Sequence, residues 1–522
     1  MNNPPKRNSP LPSSPNEHAA PRPGQWVHRL SALFRHLRKE GGGRYDGLPG
    51  RLRLWLDARR LRASPLFDTP WYRDTYPDVA MSGGDPARHY LRHGVADGRD
   101  PGPEFGTLAY LERYPDVAAA GQNPLLHYLR RGASEGREAV RRQASRQARR
   151  DLLPLPVFTT PDRDGPGRVT LVTDSVSAGS LFGGVGTALI LGALLAERRS
   201  QGLRVVTRLE AAEVGGVRRL LRMLALPDTL EIEFLHLPPE GPRHLELRPA
   251  DLLLTTSWWT THATAASVAR ERILYLLQED ERMFYPHGDQ HLLCAETLAR
   301  GAGRVVINTE LLRRHLAETG LAGMAGQALV FEPAFPEASY RYEPRPAEDR
   351  LNFFFYARPG HPRNLYQRGV EALTRALEEG RIDPARWLFH GVGTGTPLAL
   401  PAGAEVRMID GLGWDEYAAL VRRMDAALSL MYTPHPSYPP LDLAASGAVV
   451  VTNRYGVKQS LAAYGGNILC VEPDVDSLAR AIGEAAALAE DGAARRRGYA
   501  TLRVNRDWRM AMEPVLRALD GG

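Results

Sequence analysis

The feature that most constrains the fold of this chain is an alternation of short apolar runs and helical stretches from residue 168 onward. The runs are four to eight residues long and rich in Val, Leu, Ile and Phe, which is typical of strands buried on both faces of a parallel sheet. They form two series. The predicted strands are 168–173, 203–209, 230–237, 251–255, 273–277, 305–308 and 328–331, then 351–356, 387–390, 406–409, 426–431, 449–452 and 468–471.

These two series predict an α/β protein with two doubly wound, Rossmann-like domains, over residues 168–340 and 341–522. In such domains ligands bind beyond the carboxyl ends of the strands, so the facing ends are expected to form a cleft. The final helix of the second domain is expected to cross back to the first.

A repeat with a period of 38 residues precedes these domains. Tyr76-Pro77-Asp78-Val79-Ala80 recurs as Tyr114-Pro115-Asp116-Val117-Ala118, and His89-Tyr90-Leu91 recurs as His127-Tyr128-Leu129. Each unit predicts two short helices around a Gly/Pro turn, and two units predict a small all-α module over residues 66–140. Packing or capping is favoured over metal binding for the paired histidines. An interaction or glycan contact is favoured over chemistry for the module.

The net charge of +6 is unevenly distributed along the 522 residues. Residues 1–65 carry a net +9 and residues 137–150 a net +5, so the other 443 residues carry −8. Lysine occurs only at positions 6, 39 and 458, whereas there are 63 arginines. Arginine must therefore hold any anionic ligand of the folded part. Nucleic-acid binding is disfavoured because the folded domains are acidic and contain no recognition motif.

The N-terminal region predicts a disordered tail over residues 1–24 and a basic, amphipathic helical segment over 25–65. This segment either lies on an anionic inner membrane surface or docks on the rest of the protein. An Arg- and Pro-rich linker is predicted over 141–167. Two widely separated cysteines, Cys294 and Cys470, match no metal or disulfide pattern and indicate a reducing compartment, so a cytoplasmic location is predicted.

A Gly-rich turn follows the first predicted strand of the first Rossmann-like domain. It contains Gly183, Gly184 and Gly186 and leads into a helix. The turn is either a simple tight turn or a place where backbone amides and a helix N-terminus approach a phosphate.

Two arginines follow the first strand of the second domain. Arg358 and Arg363 are five residues apart and can converge on one diphosphate, because guanidinium groups bind phosphate oxygens in pairs; the alternative is a solvated surface pair.

A proline-dense loop follows a later strand and enters a helix at Pro440. Asp442 is expected on the first turn of this helix, where a carboxylate either accepts hydrogen bonds from ribose hydroxyls or only offsets the helix dipole.

In several linked segments the chain resembles bacterial rhamnosyltransferases of the WsaF type, which build S-layer and O-antigen-like polysaccharides. The segments are the tandem YPDVA repeats, LFGGVGTAL, TSWWTTHAT, YLLQEDERMFYP, INTELL, FYARPGHPRNLYQRG and PHPSYPPLDLAASG. The resemblance implies a GT-B glycosyltransferase, with a nucleotide-sugar donor held by the second domain and a glycan acceptor, possibly lipid-linked, held by the first. It implies a dTDP-rhamnose donor, retention of configuration, and neither a cofactor nor a metal.

The resemblance also assigns site residues. It places the donor diphosphate on Arg358 and Arg363 and the ribose on Asp442. Related retaining enzymes often carry two acids eight positions apart in this loop, whereas position 434 is proline here. That departure leaves His435, Ser437 and Tyr438 as substitutes for the sugar contact.

Acceptor contacts are expected from residues that follow two strands of the first domain. Trp258 and Trp259 offer indole rings, one of which is expected in the core, and Gln278, Glu279 and Asp280 offer hydrogen-bond partners for sugar hydroxyls. His390 is expected at a strand end, either beside the base or diphosphate or in a packing role.

Two other functions remain as alternatives. A phosphorylase on this architecture would need a Schiff-base lysine, and Lys458 is the one lysine after position 39. The second alternative is a glycosyltransferase-like protein that binds a glycan or nucleotide-sugar without turnover, which Pro434 favours.

Overall fold

The computed structural model describes residues 50–76, 79–80, 84–140, 154–162, 165–177, 181, 183–223, 230–239, 244–344 and 350–520. Within these ranges the chain forms two compact units, one up to residue 140 and one from residue 154 onward. The predicted tail, most of the basic segment and residues 141–153 of the predicted linker lie outside the described residues.

The first unit is helical and is built around the repeat. Its helices are α1 Gly50–Arg62, α2 Thr69–Thr75, α3 Pro86–His89, α4 Thr107–Arg113, α5 Pro115–Ala119 and α6 Pro124–His127, with π-helical turns at Tyr90–Gly94 and Tyr128–Gly132. Helix α1 packs into this unit, because Ala58 and Leu61 are fully buried there. The described end of the basic segment therefore docks on protein.

Equivalent residues of the two repeats make the same contacts. The hydroxyl of Tyr72 bonds Nδ1 of His89 at 3.1 Å, and 38 residues later Tyr110 bonds His127 at the same distance. The guanidinium of Arg99 lies 4.9 Å from the ring of Tyr76, a spacing that recurs between Arg137 and Tyr114. Each histidine thus has a hydrogen-bonding and packing role inside its repeat.

The second unit contains two seven-stranded sheets. The first domain comprises β1 Thr159–Pro161, β2 Val169–Thr173, β3 Leu203–Thr207, β4 Ile232–His236, β5 Leu245–Leu247, β6 Leu252–Thr255, β7 Ile273–Leu277, β8 Arg304–Asn308 and β9 Leu329–Phe331. Strands β1 and β5 form a separate parallel pair, and the main sheet is parallel in the order β4-β3-β2-β6-β7-β8-β9. Its helices are α7 Gly184–Arg198, α8 Val214–Met223, α9 Trp258–Ala265, α10 Asp289–Arg300, α11 Glu310–Leu316, which continues into a π-helical turn at Ala317–Leu321, and α12 Ala322–Gln327, with 3-10 turns at Arg270–Arg272 and Glu281–Phe284.

The second domain repeats this plan. Its strands are β10 Leu351–Ala357, β11 Trp387–Gly393, β12 Leu398–Ala399, β13 Glu405–Ile409, β14 Ala426–Leu428, β15 Val449–Asn453 and β16 Ile468–Val471. They are ordered β12-β13-β11-β10-β14-β15-β16, and only the edge strand β12 is antiparallel to its neighbour. Its helices are α13 Tyr366–Glu378, α14 Trp414–Val421, α15 Tyr438–Ala445, α16 Val475–Glu490, α17 Gly492–Ala500 and α18 Trp508–Asp520, with 3-10 turns at Pro362–Asn364 and Pro401–Gly403.

Helix α18 links the end of the chain to the first domain. Its buried face, which includes Trp508, Met512 and Leu516, belongs to the same apolar cluster as helix α7 and strands β2 and β3. The side chain of Arg198 in α7 bonds Asp520 and, at 2.9 Å, Glu513. The last helix thus packs on the first domain, although it follows the second in sequence.

The predicted α/β architecture of GT-B type is confirmed by the two parallel sheets that face one cleft. Each of the thirteen predicted strands is present, although 426–431 was wrong in length, because the chain leaves the sheet after Leu428 to form a loop. The strands that the sequence misses are β1, β5 and β12, which have only two or three residues and so lack a readable period. Among the described helices, none has the length and apolar character needed to cross a membrane.

Candidate active site

A cavity of about 530 Å³ lies between the carboxyl ends of the two sheets. Each sheet contributes the point at which its strand order reverses, between β2 and β6 in the first domain and between β10 and β14 in the second. Crevices at such switch points are the usual ligand sites of doubly wound domains. Ten predicted site residues line the cavity: Gly183, Gly184, Trp259, Gln278, Arg358, Arg363, His435, Ser437, Tyr438 and Asp442.

Arg358 comes directly after β10. Its Nη1 donates to the hydroxyl of Tyr356 at 3.1 Å, and its Nη2 lies 2.6 Å from Nε2 of His361. These two contacts hold the guanidinium of Arg358 in the cavity wall. A charged group with several N–H donors can bind phosphate oxygens there.

Arg363 lies on the 3-10 turn Pro362–Asn364, which the side chain of Asn364 holds to the Leu430 carbonyl at 3.0 Å. Its guanidinium is 4.3 Å from the centre of the Phe284 ring and 3.9 Å from a carboxylate oxygen of Glu279, both in the first domain. Burial lowers the pKa of Arg363, and the charge of Glu279 opposes that shift. Arg363 therefore contacts both walls of the cavity.

The loop between β14 and α15 presents His435 to the cavity. The Nδ1 atom of its buried ring accepts a hydrogen bond of 3.0 Å from the Ser437 backbone N–H. Burial and the nearby Lys458 lower the pKa of His435 to about 3, so the ring is neutral and its proton must be on Nε2. Within the described residues this Nε2 has no hydrogen-bond partner. An unpaired buried donor of this kind is costly unless a ligand oxygen accepts its hydrogen bond.

Lys458 lies beneath the same loop and is fully buried. Its Nζ donates to the carbonyl of Met431 at 2.7 Å and to that of His435 at 3.4 Å. Burial lowers the pKa of Lys458 to about 8. Because the amine is bonded under the loop and does not line the cavity, its position does not favour the phosphorylase alternative.

Tyr438 joins the two domains. Its hydroxyl lies 2.7 Å from Oγ1 of Thr187 and accepts a hydrogen bond of 2.9 Å from the side-chain amide of Asn308. The expected substitute for a sugar contact thus lines the cavity and also bonds the opposite wall.

Asp442 lies one turn later in its helix than the sequence predicts. Helix α15 begins at Tyr438, after Ser437 with a φ of 69°, so Asp442 is its fifth residue. The hydroxyl of Tyr417 donates to the carboxyl group at 3.2 Å, and burial raises the pKa of Asp442 to about 8. The expectation of a first-turn carboxylate was therefore wrong, although the side chain does line the cavity.

The glycines of the first domain have different roles. Gly183 precedes α7 with a φ of 77°, and the carbonyl of Gly184 accepts a 2.7 Å hydrogen bond from Nε2 of Gln278. Gly186 does not line the cavity, because it faces inward and a side chain there would collide with the Leu181 carbonyl. Its predicted contact with a ligand is therefore replaced by a packing role.

The two tryptophans begin helix α9 and point in different directions. Trp258 lies in the core, where its Nε1 donates to the hydroxyl of Tyr285 at 2.9 Å, so its predicted acceptor contact was wrong. Trp259 reaches the cavity, and its Nε1 donates to Oδ2 of Asp174 at 2.6 Å.

Asp280 and His390 also lie away from the cavity. Asp280 is buried between Arg282 at 2.8 Å and His315 at 3.0 Å, and these hydrogen bonds outweigh burial and lower its pKa to about 2. His390 sits inside β11, which continues to Gly393, and its Nε2 lies 2.9 Å from the amide oxygen of Asn352. Asp280 is held by an ion pair with Arg282 and a hydrogen bond with His315 instead of contacting an acceptor. Of the two roles left open for His390, packing is the one it has.

Three acidic residues line the first-domain wall, namely Asp174, Glu279 and Glu281. Glu279 is one of the acceptor-side carboxylates that the sequence predicts, whereas no role is predicted for Asp174 or Glu281. Burial raises the pKa of Glu281 to about 8, so this side chain is a neutral acid at pH 7. Asp174 directly follows strand β2, and this position in the sequence could have marked it as a site residue. Its bond to an indole 85 residues away was not visible in the sequence.

In the described part of the chain, no three His, Cys, Asp or Glu side chains come together as a metal site. Independence from metals and cofactors stays a prediction.

Comparison with known proteins supports the fold of the second domain. Residues 351–483 match the family model of the WsaF C-terminal domain. This part of the second domain is therefore similar to the C-terminal domain of WsaF.

The chain is also similar to a particular protein of polysaccharide synthesis. It is 30% identical over 282 residues to the O-antigen biosynthesis protein RfbC of Myxococcus xanthus. The matched region is 53% of this chain and 21% of that protein. The match thus spans about a fifth of the relative's length.

Solved structures with a loosely similar fold include glycosyltransferases. HepE of Anabaena, solved with UDP and glucose, is 13% identical with a TM-score of 0.49, and WaaG, a glycosyltransferase of lipopolysaccharide biosynthesis, is 15% identical with a TM-score of 0.47. Each match covers 68% of this chain and 100% of the other. The activity of this chain must therefore be inferred from its own site.

Proposed function

We propose that this protein is a glycosyltransferase that moves a sugar from a nucleotide-sugar to a hydroxyl of a growing cell-surface polysaccharide. One observation carries the proposal: the two switch-point crevices open into a single cavity, with Arg358 and Arg363 in one domain and a group of acidic side chains in the other. A diphosphate fits the first set, and a polyhydroxylated acceptor fits the second.

The donor side can stabilise the charge that develops on the leaving group. As the bond from the anomeric carbon to the diphosphate breaks, its electron pair stays on the nucleoside diphosphate. The two guanidinium groups and the His435 N–H lie in the wall where that charge would form. Fixed donors aimed at developing charge are a large source of catalysis.

The acceptor oxygen forms the new bond to the anomeric carbon as the donor bond breaks. We propose retention of configuration, in which a leaving phosphate oxygen takes the acceptor's proton. Neither a metal nor a cofactor takes part in this scheme.

We propose L-rhamnose from dTDP-rhamnose as the transferred sugar, because the linked sequence motifs resemble rhamnosyltransferases of the WsaF type and residues 351–483 match the family model of the WsaF C-terminal domain. The Myxococcus relative, an O-antigen biosynthesis protein, supports a polysaccharide acceptor.

The test is incubation of the full chain with labelled dTDP-rhamnose and a rhamnose-terminated acceptor, with UDP- and GDP-sugars in parallel. Transfer from dTDP-rhamnose is expected, and proton NMR of the product reports the anomeric configuration. Transfer from another donor alone would correct the sugar assignment. An inverted product would overturn retention.

A second candidate is a protein that binds glycan or nucleotide-sugar without turnover, which Pro434 in place of an acid favours. A thermal-shift series with the same donors distinguishes it, because a ligand of the folded state raises the melting temperature. Stabilisation without any transfer would favour this candidate.

We also propose a cytoplasmic location with peripheral contact to the inner membrane through the basic residues 1–49. Sedimentation with vesicles of anionic and neutral phospholipid, for the full chain and for a chain lacking 1–49, tests this contact. Helix α1 is kept in both because it packs in the helical unit. Equal sedimentation of the two chains would remove the membrane role.

A further inference from the structure

The carboxylate of Asp174 is at the topological switch point of the first sheet. It follows β2, and its Oδ2 accepts the 2.6 Å hydrogen bond from Trp259, which follows the neighbouring strand β6. The pair thus spans the crevice at which doubly wound domains bind ligands. Both residues line the cavity.

The position of Asp174 is fixed by its backbone. Its carbonyl accepts hydrogen bonds from the backbone N–H groups of Arg208 at 3.1 Å and Leu209 at 2.8 Å. Among the described residues, Trp259 is the side chain that donates a hydrogen bond to the carboxylate. A carboxylate has two oxygens and can accept several hydrogen bonds, so it retains capacity for a ligand donor.

We propose that Asp174, oriented by Trp259, binds a hydroxyl group of the acceptor sugar and thereby selects the acceptor. This inference rests on the proposed function and assigns to that function a specific acceptor contact. An ionised carboxylate accepts hydrogen bonds but donates none, so its partner must be an O–H or N–H group.

The charges around the cavity separate the two substrates. Asp174 and Glu279 line one wall together with Glu281, which is a neutral acid at pH 7, whereas Arg358 and Arg363 are on the other domain. A diphosphate near Asp174 would meet a negative charge in a poorly solvated place, where repulsion is strong. A neutral sugar meets no such penalty, and the indole of Trp259 offers it an apolar edge.

The charge state of Asp174 depends on its surroundings. Removal from water raises the pKa of Asp174 to about 6, although the Trp259 hydrogen bond and the positive Arg208 oppose this shift. Tyr285, Glu279 and Glu281 are the other titratable groups near this wall. The carboxylate is therefore charged at pH 7.5 and becomes protonated as the pH falls through about 6.

The test compares the full chain with Asp174→Asn, Trp259→Phe and, as a control, Asp476→Asn on the exposed side of α16. Binding of a rhamnose-terminated oligosaccharide is measured by calorimetry at pH 7.5, and binding of dTDP is measured separately. Asp174→Asn is expected to weaken oligosaccharide binding about 10- to 100-fold, the cost of losing a hydrogen bond to a charged group. Trp259→Phe is expected to weaken it less, and all chains are expected to bind dTDP equally.

Two further arms separate a ligand contact from a structural role. Wild-type affinity for the oligosaccharide is expected to fall between pH 7.5 and 5.5, and Asp174→Asn is expected to lose most of that dependence. Deoxy analogues of the terminal sugar are expected to include one that binds wild type and Asp174→Asn equally weakly. Circular dichroism and the dTDP measurement show whether the variant is folded.

The outcomes are separable from those of the proposed function. Loss of oligosaccharide binding in Asp174→Asn with dTDP binding intact supports the inference, even if no chain transfers sugar. Equal oligosaccharide affinity of wild type and Asp174→Asn overturns it, even if transfer occurs. If the Asp174→Asn variant is misfolded, the Trp259→Phe variant decides the question. Unchanged oligosaccharide affinity and unchanged pH dependence in Trp259→Phe would then overturn the inference.

Discussion

The two walls of the cavity have nearly the same scaffold and opposite chemistry. Each is the carboxyl edge of a seven-stranded sheet, parallel except for the edge strand β12, at the point where the strand order reverses. The loops of the second domain place Arg358 and Arg363 there, whereas those of the first domain place Asp174, Glu279 and Glu281. The comparison shows that the scaffold determines where a ligand binds, and that the loop residues determine which ligand it is.

The largest effect is expected from removing the positive charge of the second-domain wall. Arg358→Ala and Arg363→Ala are each expected to lower kcat/KM for the donor about 100- to 1000-fold, because a charged donor to the leaving group is lost. Steady-state kinetics with the donor varied measure the effect.

Arg375→Ala is the matched control, because this arginine is exposed on α13 and pairs with Asp476 away from the cavity. Normal rates in both cavity variants would contradict the assignment of the donor wall. Loss in Arg363→Ala alone would mean that its contact with Glu279 and Phe284, not phosphate, is what matters.

His435 gives a smaller effect on the same wall. His435→Phe is expected to weaken donor binding about 10-fold, because it removes the Nε2–H that has no partner within the described residues. His435→Gln keeps an N–H donor and is expected to recover part of the loss. Titration calorimetry with the nucleotide-sugar measures both.

The pH dependence of donor binding checks the charge state of His435. Its pKa of about 3 predicts that it stays neutral from pH 5 to 8, so both variants and wild type should share one pH profile there. A wild-type step near pH 6 that His435→Phe abolishes would show that the ring titrates.

Asp442 tests whether a carboxyl group in the donor wall is an anion at all. Its pKa is raised by burial to about 8 in the folded chain, against roughly 4 when unfolded. The folded state therefore holds this proton more tightly, and the resulting stability is present below about pH 4 and lost as the pH rises through 8.

Asp442→Asn is expected to flatten the fall in melting temperature between pH 5 and 8.5, with a gain on the order of 1–2 kcal/mol at the upper end. Asp280→Asn is the contrast, because hydrogen bonds hold the pKa of Asp280 to about 2 and its loss should destabilise the protein at pH 7. If the melting temperatures of wild type and Asp442→Asn fell equally between pH 5 and 8.5, Asp442 would be ionised in the folded protein.

The sequence predicted the secondary structure well wherever an element was long enough to have a period. β7 and β16 occur at the predicted residues, because both are apolar runs bounded by polar turns. Arg358 was singled out because it directly follows β10, and Gly183 because it lies in the Gly-rich turn between β2 and α7. The edge of a parallel sheet is where ligands bind.

Residues farther from a strand end were harder to assign. Trp258 and Trp259 are adjacent, and only the start of helix α9 at Trp258 turns one indole into the core and the other into the cavity. Asp280 is of a residue type that can bind sugar hydroxyls, but its carboxylate is already bonded to Arg282 and His315. These outcomes depend on contacts between distant segments, which periodicity does not report.

The sequence by itself determined the two α/β domains, the period of 38 residues, and the near-exclusive use of arginine as the basic side chain, because these follow from local pattern and from a count of three lysines. Only the tertiary structure decided the protonation states of His435, Asp442 and Asp174, and the pairing of Asp174 with Trp259. The physical reason is that desolvation and hydrogen bonding depend on neighbours brought together by folding, so a side chain's charge is a property of its site.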